Sequence, residues 1–363
     1  MDRAEVRATE LVAGRYELER ELARGGMGVV FRALDRTTGA TVALKRSLEE
    51  REEASQTNRS LLRREYQTLI TLRHPRIIQV YDFGVDEVGP YYTMELLDGV
   101  DLRSKCPLPW REACSHLRDI ASSLALLHSR RLIHCDVSVA NVRLTQEGRA
   151  KLLDFGTLAS FGRNAMIAGT PPMMAPEVLA HQELDQRVDL YALGATAYYA
   201  LTGEHAYPVS MVALLPPAWA AGRPAPPSKY APDVPRELDE LVLSLLDLDR
   251  MSRPASAAEV IDRLGAIAEL APDEDQRVQR SYLHAAEVAG RDSERALLED
   301  KLKHALSGRG SGVLIEGAAG MGKTFLLEDI ARQARMAGAR VITVNARAHN
   351  GPYSTWSALL REA

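Results

Sequence analysis

The chain has 363 residues, 46% of them hydrophobic and 26% charged, with 45 basic residues against 49 acidic ones. That is an ordinary soluble composition, long enough for two or three domains with a sizeable core, and it excludes a disordered chain. The balanced charge favours neither nucleic acid nor an anionic membrane as partner. The three cysteines, Cys106, Cys114 and Cys135, show no metal or disulfide spacing. The N-terminus lacks the apolar core of a signal peptide, and the longest apolar run, residues 191–201, is too short to insert across a bilayer. A cytoplasmic location is expected.

Residues 1–15 read as an N-terminal extension. From Tyr16 to Leu22 polar and apolar residues alternate as in a half-buried strand; Ala23-Arg24-Gly25-Gly26-Met27-Gly28-Val29-Val30 follows, and a second strand runs through Leu34. A glycine turn of this kind lets backbone amides approach a phosphate. Val42-Ala43-Leu44-Lys45 predicts a strand ending in a lysine. Leu62, Glu65 and Leu69 recur at helical spacing within residues 59–72, which puts Glu65 on a buried face. A buried carboxylate needs a partner, and Lys45 is the obvious candidate. Strands are predicted over 77–83 and 91–96, completing a small antiparallel lobe.

Next, Ala113, Leu117, Ile120, Leu124 and Leu127 lie three to four apart and predict a core helix; His116 and His128 on it read as structural residues. Residues 134–156 carry His134, Asp136, Asn141 and Asp154 around the apolar pieces Val142, Leu144, Leu152 and Leu153. Those pieces predict a short hairpin that brings Asp136, Asn141 and Asp154 to one edge.

The order and spacing of these three residues, joined to the glycine loop, the strand lysine and Ala175-Pro176-Glu177, resemble the protein kinases, in particular the bacterial Hanks-type serine/threonine kinases. The resemblance runs from about Tyr16 to about Leu264. It implies an α+β fold, bilobal, with a small antiparallel β lobe and a large α lobe, over residues 16–270. It also implies ATP and Mg²⁺ as cofactors. Gly25 and Gly28 would cover the phosphates, Val30 and Ala43 would line the adenine, and Met94 would guard the back of its pocket. The Glu95 carbonyl and the Leu97 amide would hydrogen-bond the base. Lys45 would bind the α and β phosphates while paired to Glu65; Asp136 would be the catalytic base, and Asn141 with Asp154 would hold the metal.

Residues 157–174 then correspond to the activation segment, in which Gly169-Thr170-Pro171 resembles the serine/threonine class and Thr170 its structural threonine near the catalytic Asp. Asp189 opens an apolar helix over 190–201, residues 208–235 are proline-rich and read as an irregular surface excursion, and the resemblance pairs Arg253 with Glu177. Ser256 and Glu259 have the spacing of a capping box for a last helix to Leu264.

Residues 271–288 read as a linker. Beyond it, residues 312–316 predict a strand, Gly317-Ala318-Ala319-Gly320-Met321-Gly322-Lys323-Thr324 is a complete phosphate loop, and residues 325–336 predict a helix, with another strand over 340–345. Gly317 and Gly322 would frame the loop, Lys323 would reach the β and γ phosphates, and Thr324 would hold Mg²⁺. Residues 289–363 resemble the N-terminal part of an AAA-type signalling ATPase, and an incomplete α/β segment is expected there.

The function implied is transfer of the γ-phosphate of Mg-ATP to serine or threonine hydroxyls of protein substrates. Four departures from the kinase pattern support an alternative, a nucleotide-binding, pseudokinase-like module that controls the ATPase. They are Ala23 for glycine, Cys135 for arginine, Ser138 for lysine, and Arg143 where an apolar residue usually lies beneath the adenine.

Overall fold

The computed structural model describes residues 10–25, 28–47, 52–162, 169–271, 292–317, 323–337, 339 and 341–342. The chain divides into two compact units, residues 1–63, 82–93 and 286–363 in one and residues 64–81 and 94–285 in the other.

Strands β1 (Leu11–Val12), β2 (Tyr16–Gly25), β3 (Gly28–Asp35), β4 (Thr41–Arg46), β5 (Val80–Val85) and β6 (Pro90–Met94) form a six-stranded sheet in the order β1-β2-β3-β4-β6-β5. The β1–β2, β2–β3 and β3–β4 pairs are antiparallel. Alternation in these strands turns Val12, Tyr16, Leu18, Ala33, Val42, Leu44 and Tyr91 into one apolar cluster. Two register shifts in β2, between Leu18 and Arg20 and between Glu21 and Ala23, are bulges that curl the sheet. Helix α1 (Glu52–Leu69) begins earlier and ends earlier than the predicted 59–72. Its first turns carry no apolar stripe, so periodicity could not reveal them, and it stops ahead of His74-Pro75.

The strand predicted over 77–83 starts only at Val80. Ile77 and Ile78 belong instead to the second unit, where the Ile78 amide donates to Leu152 O (3.2 Å) and the Leu152 amide to Arg76 O (2.8 Å) in a parallel bridge. Strand β6 likewise ends at Met94, short of the predicted Leu96.

The second unit is built on helix α2 (Trp110–Ser129), whose predicted positions Ala113, Leu117, Ile120, Leu124 and Leu127 are all buried. Strand β7 (Gly99–Asp101) precedes it; β8 (Leu132–Ile133), β9 (Val142–Thr145), β10 (Ala150–Leu152) and β11 (Ala159–Ser160) follow. β9 and β10 are the predicted hairpin, in a three-stranded sheet ordered β10-β9-β7, and β11 pairs with β8. After the short α3 (Pro176–Leu179) comes α4 (Arg187–Thr202), buried on nearly every side and ended by Gly203 at φ +77°. The proline-rich stretch 208–235 is more ordered than predicted: it contains α5 (Leu215–Ala220) and short 3₁₀ turns, and buried Leu215, Pro227 and Val234 pin it to the unit. Helices α6 (Arg236–Leu245) and α7 (Ala257–Ala268) complete it. At the start of α7 the Ser256 hydroxyl accepts the Glu259 amide (3.2 Å), while the Glu259 carboxylate accepts from Ala255 N (2.8 Å), one residue earlier than a capping box requires.

In the C-terminal part, α8 (Asp292–Leu306) and α9 (Lys323–Met336) are joined by Arg295–Asp329 (3.2 Å) and Gln333–Glu299 (3.2 Å). The strand predicted over 312–316 does not form. Among the described residues no neighbouring strand pairs with it, Leu314 is 82% exposed, and an unpaired strand gains no ladder hydrogen bonds. The linker from residue 272 onward and most of the strand over 340–345 lie outside the described residues.

Gly194 on α4 lies where a Cβ would come within 2.5 Å of the Leu245 Cβ on α6. Gly194→Ala therefore lowers stability by about 1–3 kcal/mol through overpacking, although alanine is the better helix former. Chemical denaturation measures it as a lower midpoint at unchanged slope.

Candidate active site

The loop between β8 and β9 is held from below by helix α4. Asp189, 0% exposed, accepts the His134 amide on Oδ2 (2.8 Å) and the Cys135 amide on Oδ1 (2.9 Å), and His128 Nε2 lies 2.9 Å from its Oδ2. Cys135 takes φ +67°, a left-handed conformation rare for a residue with a side chain. This turn aims Asp136 away from the core. Asp136 Oδ1 then accepts both the Thr170 hydroxyl (2.9 Å) and the Thr170 amide (3.0 Å), while Oδ2 accepts from Asn141 Nδ2 (2.8 Å). Asn141 also donates to Asp136 O (2.9 Å), and its own carbonyl accepts from Leu153 N (2.8 Å), which ties the loop to the end of β10.

Asp154 follows directly, at φ +55°. The next amide, that of Phe155, donates to Glu65 Oε1 (3.2 Å), and the Phe155 ring packs edge-on to His134 with centroids 4.8 Å apart. Thr157 Oγ1 donates to His134 O (2.8 Å). Asp136, Asn141 and Thr170 are thus joined directly by hydrogen bonds within the second unit, and Glu65 is bonded to the residue that follows Asp154. Buried Glu177 and Arg253 meet at 2.6 and 2.9 Å, and the Arg253 guanidinium stacks on Tyr191 at 4.9 Å.

In the first unit, Lys45 is the last residue but one of β4, 7% exposed, with Val30 as its cross-strand partner; Ala43 is buried beside Leu44. Gly25 and Gly28 face each other across the β2–β3 turn, and a Cβ on Gly28 would come within 2.4 Å of Arg46 O. Glu95 and Leu97 follow β6 half-buried, and the Glu95 carboxylate binds Lys151 Nζ (2.6 and 2.7 Å) and Gln79 N (2.8 Å). Of the phosphate loop, Lys323 Nζ donates to Gly317 O (2.6 Å); Gly322 and the Thr324 side chain lie outside the described residues.

Two of the departures differ in how the structure receives them. Arg143 is drawn to strand β7, its guanidinium bonded to Gly99 O (2.9 Å) and Asp101 Oδ1 (3.2 Å). Ser138 is 1% exposed and its hydroxyl has no hydrogen-bond partner among the described residues. Two buried carboxylates were not legible as acceptors in the sequence, Asp189 and Asp119. Asp119 is buried on α2 and receives Arg76 Nε (3.0 Å), Arg149 Nη2 (2.6 Å) and the Ala150 amide (3.0 Å). A charged residue inside the apolar stripe of α2 was the available sign.

A family model described as protein kinase domain matches residues 16–263, and one described as AAA ATPase domain matches residues 287–363. The chain belongs to the protein kinase family. Its kinase domain is similar to a probable serine/threonine-protein kinase of Streptomyces coelicolor, 32% identical over 69% of this chain and 39% of that protein. It is also similar to the serine/threonine-protein kinase PknB of Mycolicibacterium smegmatis, at 34% over 69% of this chain and 42% of the relative. The kinase pkn2 of Myxococcus xanthus is 30% identical over 70% of this chain and 32% of its own length. The chain therefore spans about two-fifths or less of the length of these relatives.

Of the three thiols of the kinase domain, Cys114 is buried and Cys106 and Cys135 are partly buried. Burial pushes Cys106 up to about 11 and Cys114 up to about 12, and Cys135 is raised further by burial and then by the Asp189 carboxylate. At pH 8 the native chain reacts with a thiol reagent about tenfold or more slower than the denatured chain. The folded values lie above the unfolded one, so the unfolded chain sheds these protons first as pH rises past about 8.5, and stability falls there. Thiol counting with and without denaturant, and melting temperature against pH, check both statements.

Proposed function

We propose that the kinase domain transfers the γ-phosphate of ATP to serine or threonine hydroxyls of protein substrates. The observation that carries this reading is Asp136, whose two carboxylate oxygens are separately fixed, one by Thr170 and one by Asn141. A carboxylate held this way orients an incoming hydroxyl and accepts its proton while the oxygen bonds to the γ-phosphorus and the bond to the β-phosphate oxygen breaks, releasing ADP. Lys45 serves the α and β phosphates with Glu65 as its partner. Gly25, Gly28, Val30 and Ala43, with the Glu95 carbonyl and the Leu97 amide, serve the rest of the nucleotide.

Asn141 and Asp154 suit Mg²⁺, which takes oxygen ligands from one or two side chains and the substrate phosphates. The Asn141 amide nitrogen is already spent on Asp136, which leaves its side-chain oxygen for a cation. When bound, the metal supplies neutralisation of phosphate charge. The domains we assign are an extension over 1–15, the kinase over 16–270, a linker over 271–288 and the ATPase part over 289–363, whose Gly317, Gly322, Lys323 and Thr324 serve a second nucleotide. No described helix is long and apolar enough to cross a membrane. A cytoplasmic location, where ATP is supplied, goes with this reading.

The second reading, a nucleotide-binding regulator without transfer, is favoured by Ser138, which brings a buried hydroxyl and no cation to the loop. Labelled γ-phosphate transfer to the chain itself or to a generic basic protein decides between the two. Transfer is expected, reduced about 100-fold or more in Asp136→Asn. Thr170→Ala loses one hydrogen bond to Asp136 and lowers the rate about three- to tenfold. Binding of nucleotide with no transfer above the Asp136→Asn control would favour the regulator. Lys323→Ala, outside the residues matched to the kinase domain, leaves transfer unchanged; a loss of transfer in the same assay would contradict the separation of the two sites.

A further inference from the structure

Glu95, the first residue beyond β6, is fastened three times. Its amide donates to Gln79 O (2.8 Å), its carboxylate accepts from Gln79 N (2.8 Å), and both carboxylate oxygens accept from Lys151 Nζ (2.6 and 2.7 Å). The two side chains of the ion pair are only 17% and 18% exposed. At that depth the attraction is screened less than in a surface pair, and because Lys151 reaches both oxygens the carboxylate has one orientation. The Glu95 carbonyl and the Leu97 amide have no hydrogen-bond partner among the described residues, which leaves both for a ligand.

Gln79 is also one end of a ladder that leads to the metal-binding residues. The segment before it is bonded to β10, with the Leu152 amide donating to Arg76 O (2.8 Å) and the Ile78 amide to Leu152 O (3.2 Å). One residue on, the Leu153 amide donates to Asn141 O (2.8 Å), and Asp154 comes next. Leu152 is 0% exposed, and strand alternation turns its neighbour Lys151 to the other face, where it meets Glu95. Lys151 thus stands on the strand that leads into Asp154 and holds the residue whose carbonyl serves the base.

We propose that Lys151 is a positioning residue for the nucleotide: by holding the Glu95 carboxylate it sets the direction of the Glu95 carbonyl, and with it the preference for a base that carries a 6-amino group. The inference rests on the role proposed above for that carbonyl. A carbonyl accepts and cannot donate, so it favours the amino group of adenine over a purine without one. Without Lys151 the carboxylate keeps a single uncharged donor, the Gln79 amide, in a place largely shut off from water. Turning outward restores its hydration, and the backbone of Glu95 is released with it, since the carboxylate and the Glu95 amide are both fastened to Gln79. The Leu97 amide takes no part in the pair and still donates to a ring nitrogen of either purine.

The test uses the full chain carrying Lys323→Ala, which disables the phosphate loop of the second nucleotide site. Calorimetry in Mg²⁺ compares ADP with purine riboside diphosphate, which differs only in having hydrogen for the 6-amino group. Neither donates a γ-phosphate, so the readout does not depend on phosphoryl transfer. One hydrogen bond makes the parent bind ADP about tenfold tighter than the analogue. In Lys151→Met the affinity for ADP falls about three- to tenfold while that for the analogue is nearly unchanged, so the preference drops to about threefold or less. Glu95→Gln, which keeps an acceptor for Gln79 N and removes the charge, gives the same loss, and Lys151→Arg retains the preference. Equal losses for the two diphosphates would assign Lys151 a merely structural role and overturn the proposal, as would an unchanged preference in Lys151→Met. A parent that binds neither diphosphate would overturn the nucleotide reading itself and this inference with it.

Discussion

The loop that carries Asp136 depends on one carboxylate that never meets water. Asp189 stands on the most deeply buried helix of the second unit and accepts the amides of His134 and Cys135, with His128 against the same oxygen. A buried carboxylate without donors would cost several kcal/mol, so its burial and its hydrogen bonds are a single arrangement. In return it holds Cys135 in a left-handed conformation that costs about 1–3 kcal/mol for such a residue. That turn presents Asp136 to Asn141 and Thr170. Removing the side chain of Asp189 would release the loop backbone and strand the donors together.

The same construction recurs at two other joints. Glu177, on the short helix α3, is locked to Arg253, which also donates to the carbonyls of Asp247 and Arg187. Asp119 gathers Arg76, Arg149 and the Ala150 amide, and so joins α2 to the segment after α1 and to the hairpin that carries Asp154. Each joint anchors an irregular segment to a core helix through a charged group kept away from solvent. Such pairs contribute little net stability compared with apolar packing, yet breaking one by removing a single partner costs about 3–5 kcal/mol. Their effect is geometric: the loops have one way to sit.

The departures from the kinase pattern fit into this frame with different consequences. Cys135 brings no cation to the loop, and its thiol, buried beside Asp189, is held in the neutral form. Arg143 bonds across to β7 between two buried apolar neighbours, Val142 and Leu144, so the alternation of the strand survives the charge. Ser138 fills its place with a small group and leaves the loop without the positive charge that a lysine would bring.

Periodicity and spacing were enough to read the elements whose information is local. The helical recurrence of Leu62, Glu65 and Leu69 foretold a buried Glu65, the spacing along α2 foretold its core face, and the apolar pieces around Asn141 and Asp154 foretold the β9–β10 hairpin. The motif order sufficed for the family. Apart from the Glu177–Arg253 pair, which the family resemblance implied, only the tertiary structure decided which partners the charged groups meet. Phe155 donates to Glu65 across 90 positions of sequence, His134 to Asp189 across 55, and Arg76 to Asp119 across 43. No local period carries such pairings. The predicted strand over 77–83 was shortened for the same reason, because Ile77 and Ile78 are claimed by Leu152, and the strand over 312–316 found no described neighbour. Helical and strand periods are set by a residue and its near neighbours, whereas a ladder or a buried ion pair exists only once distant segments have been packed together.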